Sequence, residues 1–182
     1  MFAALYLPNF ELQAALRPGP ELHRQPVGLL ADNHRATIMQ LTKSALEAGI
    51  SVGMTPSQGL ARCLRLTITT RARAQEKIAS DILLRQAATL SPEIEATAPG
   101  VCTVRFTSLK NCRENLERVV RQLAALHLTA QARLAVTPDL SFLAACLARP
   151  VLQVGEARDF LAPLPLETLL FVNESGEIAS SG

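Results

Sequence analysis

Two hydrophobic periods divide this chain. Residues 2–7 form an unbroken apolar run closed by Pro8, which predicts a buried strand. Val101, Thr103 and Arg105 alternate with Cys102, Val104 and Phe106, and that period of two predicts a half-buried strand. Ser91-Pro92 breaks the pattern before it, and Pro99-Gly100 forces a turn or bulge at its start. Residues 129–136 alternate around Ala132, Leu134 and Val136, and residues 151–154 read as one more strand. The other period is helical. Ile78, Ile82, Leu83, Ala87 and Leu90 share one face of a helix predicted over residues 71–90. Leu116, Val119, Val120, Leu123 and Leu126 do the same over residues 112–126, with Arg113, Glu117, Arg118 and Arg121 on the wet side.

Shorter elements are marked by their caps. Asn9 can cap a helix over residues 10–16, which stops at Arg17-Pro18-Gly19-Pro20. Residues 26–30 and 36–40 read as a hairpin around a turn at residues 32–35. A helix over residues 42–48 ends at Gly49, and Thr55-Pro56 opens another that runs to Cys63. A strand over residues 66–70 follows, and near the end Thr137-Pro138-Asp139 opens a helix over residues 140–147.

Composition narrows the class. The 182 residues are 48% hydrophobic and 19% charged, enough for a sizeable core, so one or two globular domains are expected. The net charge of +2 argues against a global basic field, so the local distribution matters more. Cys63, Cys102, Cys112 and Cys146 contain no C-x-x-C pair, and His23, His34 and His127 are not spaced as ligands. They read as reduced thiols of a cytoplasmic protein with no metal site. The apolar N-terminus has no basic segment ahead of it and is interrupted by Pro8, so neither signal peptide nor membrane span is expected. The polar residues 173–182 are expected to be a disordered tail.

The phrase SALEAGISVGMTPSQGLARC resembles the fingers signature of Y-family DNA polymerases (UmuC/DinB-type), matching at Ala45, Gly49, Ile50, Gly53, Met54, Ala61 and Cys63. The frame SPEIE before a short hairpin is similar to the palm of the same family, and YLPNFE fills the frame of its first strand. That resemblance implies an α+β fold: a ferredoxin-like palm with an antiparallel sheet and helices on one face, a small fingers insertion and a partial helical thumb. The implied division is palm over residues 1–17 and 68–154, fingers over 18–67 and a thumb remnant over 155–172.

The chemistry of the family falls on altered residues. Where the resemblance implies metal-binding acids, this chain has Tyr6, Gly100 and Val101, and a later Asp position holds Arg105. A phenol with a pKa of about 10 does not replace a carboxylate as a magnesium ligand at neutral pH. Glu11 stands at the sugar-screening position, while Lys43 and Leu46 occupy those of the Tyr and Arg that grip the triphosphate. In the passage over residues 137–150, Ser141 and Phe142 lie where a Lys often approaches the triphosphate.

The resemblance is closest to the ImuB-type branch. It implies a non-catalytic module without cofactor, acting in SOS-type DNA damage tolerance and translesion synthesis. The implied partners are DNA, an ImuA (RecA-like) protein and a C-family replicase. Between residues 33 and 77 there are seven basic residues (Arg35, Lys43, Arg62, Arg65, Arg71, Arg73, Lys77) against Glu47 and Glu76. Six of them, Arg35 to Arg73, are the candidate contacts to a phosphate backbone. No aromatic residues interleave them, so base stacking is not expected. The alternatives are a truncated relic, and an active polymerase using Glu11, Glu93 or Glu95 as substitute carboxylates.

Overall fold

The computed structural model describes residues 1–32, 36–107, 110–147 and 152–153. They form two compact units. One takes residues 1–8 and the described residues from Ser80 onward, and the other takes residues 9–79.

The first unit is built on a five-stranded sheet of β1 (Phe2–Tyr6), β5 (Ile94–Ala98), β6 (Val101–Arg105), β7 (Gln131–Ala135) and β8 (Leu152–Gln153). The strand order is β5-β6-β1-β7-β8. β1 lies antiparallel to both β6 and β7, β5 antiparallel to β6, and only the edge strand β8 runs parallel to its neighbour. As the unbroken apolar run predicts, Ala3, Ala4 and Leu5 of the central strand are fully buried. β6 departs from its half-buried expectation: Val101, Cys102, Thr103 and Val104 are all buried, and only Arg105 opens to solvent. The alternation misled because Thr103 hides its hydroxyl against that of Thr97 at 2.7 Å, so a polar side chain is buried with its hydrogen bond made.

Two helices pack on strands of this sheet. In α5 (Cys112–Ala125), Leu116, Val119 and Leu123 are fully buried, while Leu126 lies just past the last turn and is 40% exposed. α6 (Pro138–Leu147) is opened by Thr137, whose hydroxyl accepts from the Leu140 N–H at 3.3 Å. It packs Leu140 and Ala144 on Ala135 of β7. α4 (Arg73–Ala88) buries Ala79, Leu83 and Ala87, spaced four apart, and leaves Ile78 40% exposed. The predicted face included Ile78, but the buried stripe runs one residue over, through Ala79, Leu83 and Ala87.

The second unit holds a three-stranded sheet of β2 (Val27–Leu30), β3 (Ile38–Leu41) and β4 (Thr67–Thr69), in the order β3-β2-β4. β2 and β3 form the expected antiparallel hairpin, and β4 joins β2 in parallel. α1 (Phe10–Leu16) sets Leu12 and Leu16 on Val27 and Leu29. Its entry differs from the expected cap: Asn9 takes a left-handed φ of 48°, and its side chain donates to the Leu41 carbonyl at 3.5 Å instead of capping.

A second cluster joins Ile38, Leu41, Ala45, Ile50 and Leu66. α2 (Lys43–Glu47) and α3 (Pro56–Arg62) close over it. The Thr42 hydroxyl caps α2, accepting from the Ala45 N–H, and the chain leaves at Gly49 with φ 81°. Thr55 and Gln58 form a reciprocal capping box at α3. Gly59 lets α3 approach closely, because a Cβ there would stand 2.6 Å from Leu66 Cδ2.

Candidate functional site

The β1–β6 ladder sets the positions around which the sequence reading turns. Tyr6 pairs directly with Val101, and the Leu7 N–H donates to the Gly100 carbonyl at 2.9 Å. Tyr6, Gly100 and Val101 therefore meet at one corner of the sheet. Gly100 is buried and has φ 71°, a conformation that disfavours a Cβ and completes the two-residue Pro99-Gly100 turn.

Arg105 does not join them. It pairs with Phe2 at the other end of β6, four residues along, or about 13 Å at the usual strand rise. Its guanidinium holds Glu93 at 3.2 Å. The register therefore keeps Arg105, read at the family's later Asp position, away from this corner. Glu95 pairs with Thr103 and is exposed. Among the described residues, no three His, Cys, Asp or Glu side chains come together as a cluster able to hold a metal ion.

The second unit contains a partly buried charge network. Arg71 grips Glu76 with two hydrogen bonds, Nε to Oε1 at 2.9 Å and Nη2 to Oε2 at 2.7 Å, and reaches Glu11 at 3.7 Å. The side chains of Arg71, Glu11 and Glu76 are 23%, 15% and 12% exposed. Gln40 links them to α1: its amide donates to Glu11, and its carbonyl accepts from the Leu12 N–H at 2.9 Å. The Arg71 pKa is raised, chiefly by the hydrogen bond to Glu76, against an opposing effect of burial.

The six basic residues singled out for DNA thus differ in availability. Arg71 is committed to carboxylates. Arg73 pairs with Asp32 at 3.0 Å, and Lys43 with Glu47 at 3.5 Å, both in exposed pairs. Arg62 and Arg65 are exposed and form no ion pair with the described residues. Arg35 lies outside the described residues, as do the thumb expected over 155–172 and the tail expected over 173–182. Leu46 is 54% exposed at the end of α2. Ser141 is buried, with its hydroxyl donating to the Pro138 carbonyl at 2.7 Å.

Sequence reasoning missed Arg133. The alternation around Ala132, Leu134 and Val136 leaves it on the strand's other side, but α6 covers that side and Arg133 is 0% exposed. Its Nε donates to the Ala144 carbonyl at 3.1 Å, while Nη1 and Nη2 are buried without a hydrogen-bond partner among the described residues. Burial lowers its pKa. A charged residue flanked by alanine and leucine was the available signal, and covering of the strand's second face was what the alternation could not report. Cys102 and Cys112 are buried and Cys63 is half-buried, none of the three in a disulfide among the described residues. Burial pushes Cys102 up to about 11, so it is protonated at neutral pH. Among the described residues, no helix is long and apolar enough to cross a membrane.

Comparison with known proteins agrees with this architecture. No curated protein sequence matches the chain. Among solved structures, a post-insertion binary complex of Dbh DNA polymerase is similar with a TM-score of 0.79 at 15% identity, over 92% of this chain and 53% of that one. A Dbh ternary complex gives 0.77 at 15% identity, over 92% and 52%. DinB from Sulfolobus solfataricus gives 0.76 at 15% identity, over 92% and 53%. The chain thus spans about half the length of these structures, and at such identities the likeness shows the fold. The family profile described as impB/mucB/samB matches residues 5–143. The chain belongs to the impB/mucB/samB family, the Y-family polymerase group, whose palm-like α+β fold it carries.

Proposed function

We propose that this chain is a non-catalytic, ImuB-type polymerase-like module that serves as a scaffold in DNA damage tolerance. The observation that carries the reading is the β1–β6 register, which gathers Tyr6, Gly100 and Val101 where the family resemblance implies metal-binding carboxylates. Two-metal nucleotidyl transfer requires acidic side chains to hold the cations against the transferred phosphate. A phenol, a glycine and a valine supply none. Glu11, offered as a substitute, is bonded to Gln40 and lies beside Arg71. Glu93 is held by Arg105. Within this reading the palm comprises residues 1–17 and 68–154 and the fingers residues 18–67. Its partners are an ImuA-like protein and a C-family replicase, and it needs no cofactor.

Primer extension on a primed template with magnesium or manganese tests it. No incorporation is expected. Robust synthesis abolished by Glu11→Ala or by Glu95→Ala would overturn the reading.

A second reading, contact with the DNA backbone, is favoured by the exposure of Arg62 and Arg65 and by their lack of an ion pair with the described residues. Binding to primed DNA should then weaken with salt, and Arg62→Ala combined with Arg65→Ala should lower the salt slope. Salt-independent binding would count against it.

A further inference from the structure

A shallow depression of about 330 Å³ lies on the 9–79 unit, lined by Met54, Gln58, Ala61 and Arg62. One wall is a single helical face, since Ala61 and Arg62 follow Gln58 by three and four residues on α3. The lining is held in place. The Met54 carbonyl accepts from the Ile38 N–H at 2.8 Å, which ties Met54 to β3. Gln58 is fixed by the capping box: its Oε1 accepts from the Thr55 N–H at 2.9 Å. Its amide nitrogen keeps a donor for a ligand. A Cβ placed at Gly49 would lie 4.0 Å from Arg62 Nη1, so the guanidinium lies beside that backbone. A Cβ at Gly53 would meet nothing within 4 Å, so the space next to Met54 is open.

We propose that this depression holds an unpaired base of DNA. The inference rests on the DNA-backbone reading and names the feature of the DNA that is read. Arg62 and Arg65 are exposed without an ion pair among the described residues, so phosphates held there bring the attached bases to the depression. The lining suits a base. Met54 and Ala61 make it largely apolar, and a thioether packs well on an aromatic ring. Arg62 offers a flat cation, and bases stack on guanidinium planes as they do on aromatic side chains. No Phe, Tyr or Trp lies between residues 43 and 65, so the guanidinium is the stacking surface here. Gln58 supplies an amide donor for a ring nitrogen or carbonyl of the base. The volume is at the lower end of the range for ligand sites, about 300–1,000 Å³, and suits a single base. A base inside a duplex is stacked on both faces and does not enter, so the site selects a nucleotide that is already unpaired.

The test uses the whole chain and labelled duplexes that differ at one position: fully paired, with one unpaired adenine nucleotide, or with one unpaired abasic nucleotide. Affinity is read by fluorescence anisotropy over a salt series. The duplex with the unpaired base should bind about tenfold more tightly than either control. Ala61→Leu fills the depression and should abolish that preference while keeping the salt slope. Arg62→Lys keeps the charge without the plane and should do the same. Both side chains are exposed, so both variants should keep the parent unfolding midpoint. Equal affinity for the base-bearing and abasic duplexes, or a preference retained by either variant, would overturn the inference and leave the DNA-backbone reading standing. Absent or salt-independent binding to all the duplexes would overturn both.

Discussion

Arg133→Met should make the protein more stable. The wild-type side chain is fully buried on β7 beneath α6 and, among the described residues, makes one hydrogen bond, to the Ala144 carbonyl, and leaves Nη1 and Nη2 without partners. Losing that charged hydrogen bond costs about 1.5–3 kcal/mol. Against it stand two desolvated donors, each worth about 1–3 kcal/mol, and a buried charge whose effective penalty is several kcal/mol. Methionine keeps most of the aliphatic volume and adapts to the space beneath α6. The balance favours the variant by about 1–4 kcal/mol, the range found when buried ions are replaced by apolar residues. In a protein of this size that corresponds to a rise in Tm of about 2–15 °C.

The sign with pH follows from the lowered pKa. A cation whose folded-state pKa is depressed penalises the fold wherever it is charged, and the penalty shrinks only once pH rises past that folded-state value. The gap between variant and wild type should therefore be flat across neutral pH and narrow at alkaline pH. Urea unfolding at several pH values measures both. A variant less stable than wild type by about 2 kcal/mol or more would refute the reasoning and mean that the guanidinium has a partner.

Three further outcomes follow from the local geometry. Glu76→Gln should cost about 1–3 kcal/mol in urea unfolding, because Arg71 loses its two-point partner in a mostly buried site; an unchanged midpoint would mean that Glu11 alone satisfies it. Gly100→Ala should cost about 1–2 kcal/mol by the same assay, since its φ of 71° forces a Cβ into left-handed backbone, and neutrality would show that the β5–β6 turn relaxes. Thr55→Ala should cost about 1 kcal/mol by removing the capping box of α3, with Thr55→Ser largely restoring it.

Much of the architecture was legible because caps and periods agree. Thr42, Thr55 and Thr137 mark helix starts that the structure keeps, and α1 has the bounds its pattern gives, Phe10–Leu16. The fingers-like signature and the SPEIE frame led to the right family because their glycines and small residues answer to backbone geometry: Gly49 and Gly53 both have positive φ. What sequence could not report was pairing across the fold. The distance of Arg105 from Tyr6 is a matter of strand register, and the commitment of Arg71 depends on Glu76 and Glu11 arriving from two different helices. Arg133 was overlooked for a related reason, since alternation describes a strand and not the helix that later covers it. Local counts of positive charge therefore overstated the cations free for phosphate.

The central claim is that the corner formed by Tyr6, Gly100 and Val101 no longer anchors divalent cations. Manganese titrated into the isotope-labelled protein tests this directly, because the ion broadens NMR signals of nearby amides. The account predicts no selective broadening at Tyr6, Leu7, Gly100 and Val101 relative to the rest of the chain. Saturable broadening centred on those four amides would contradict it.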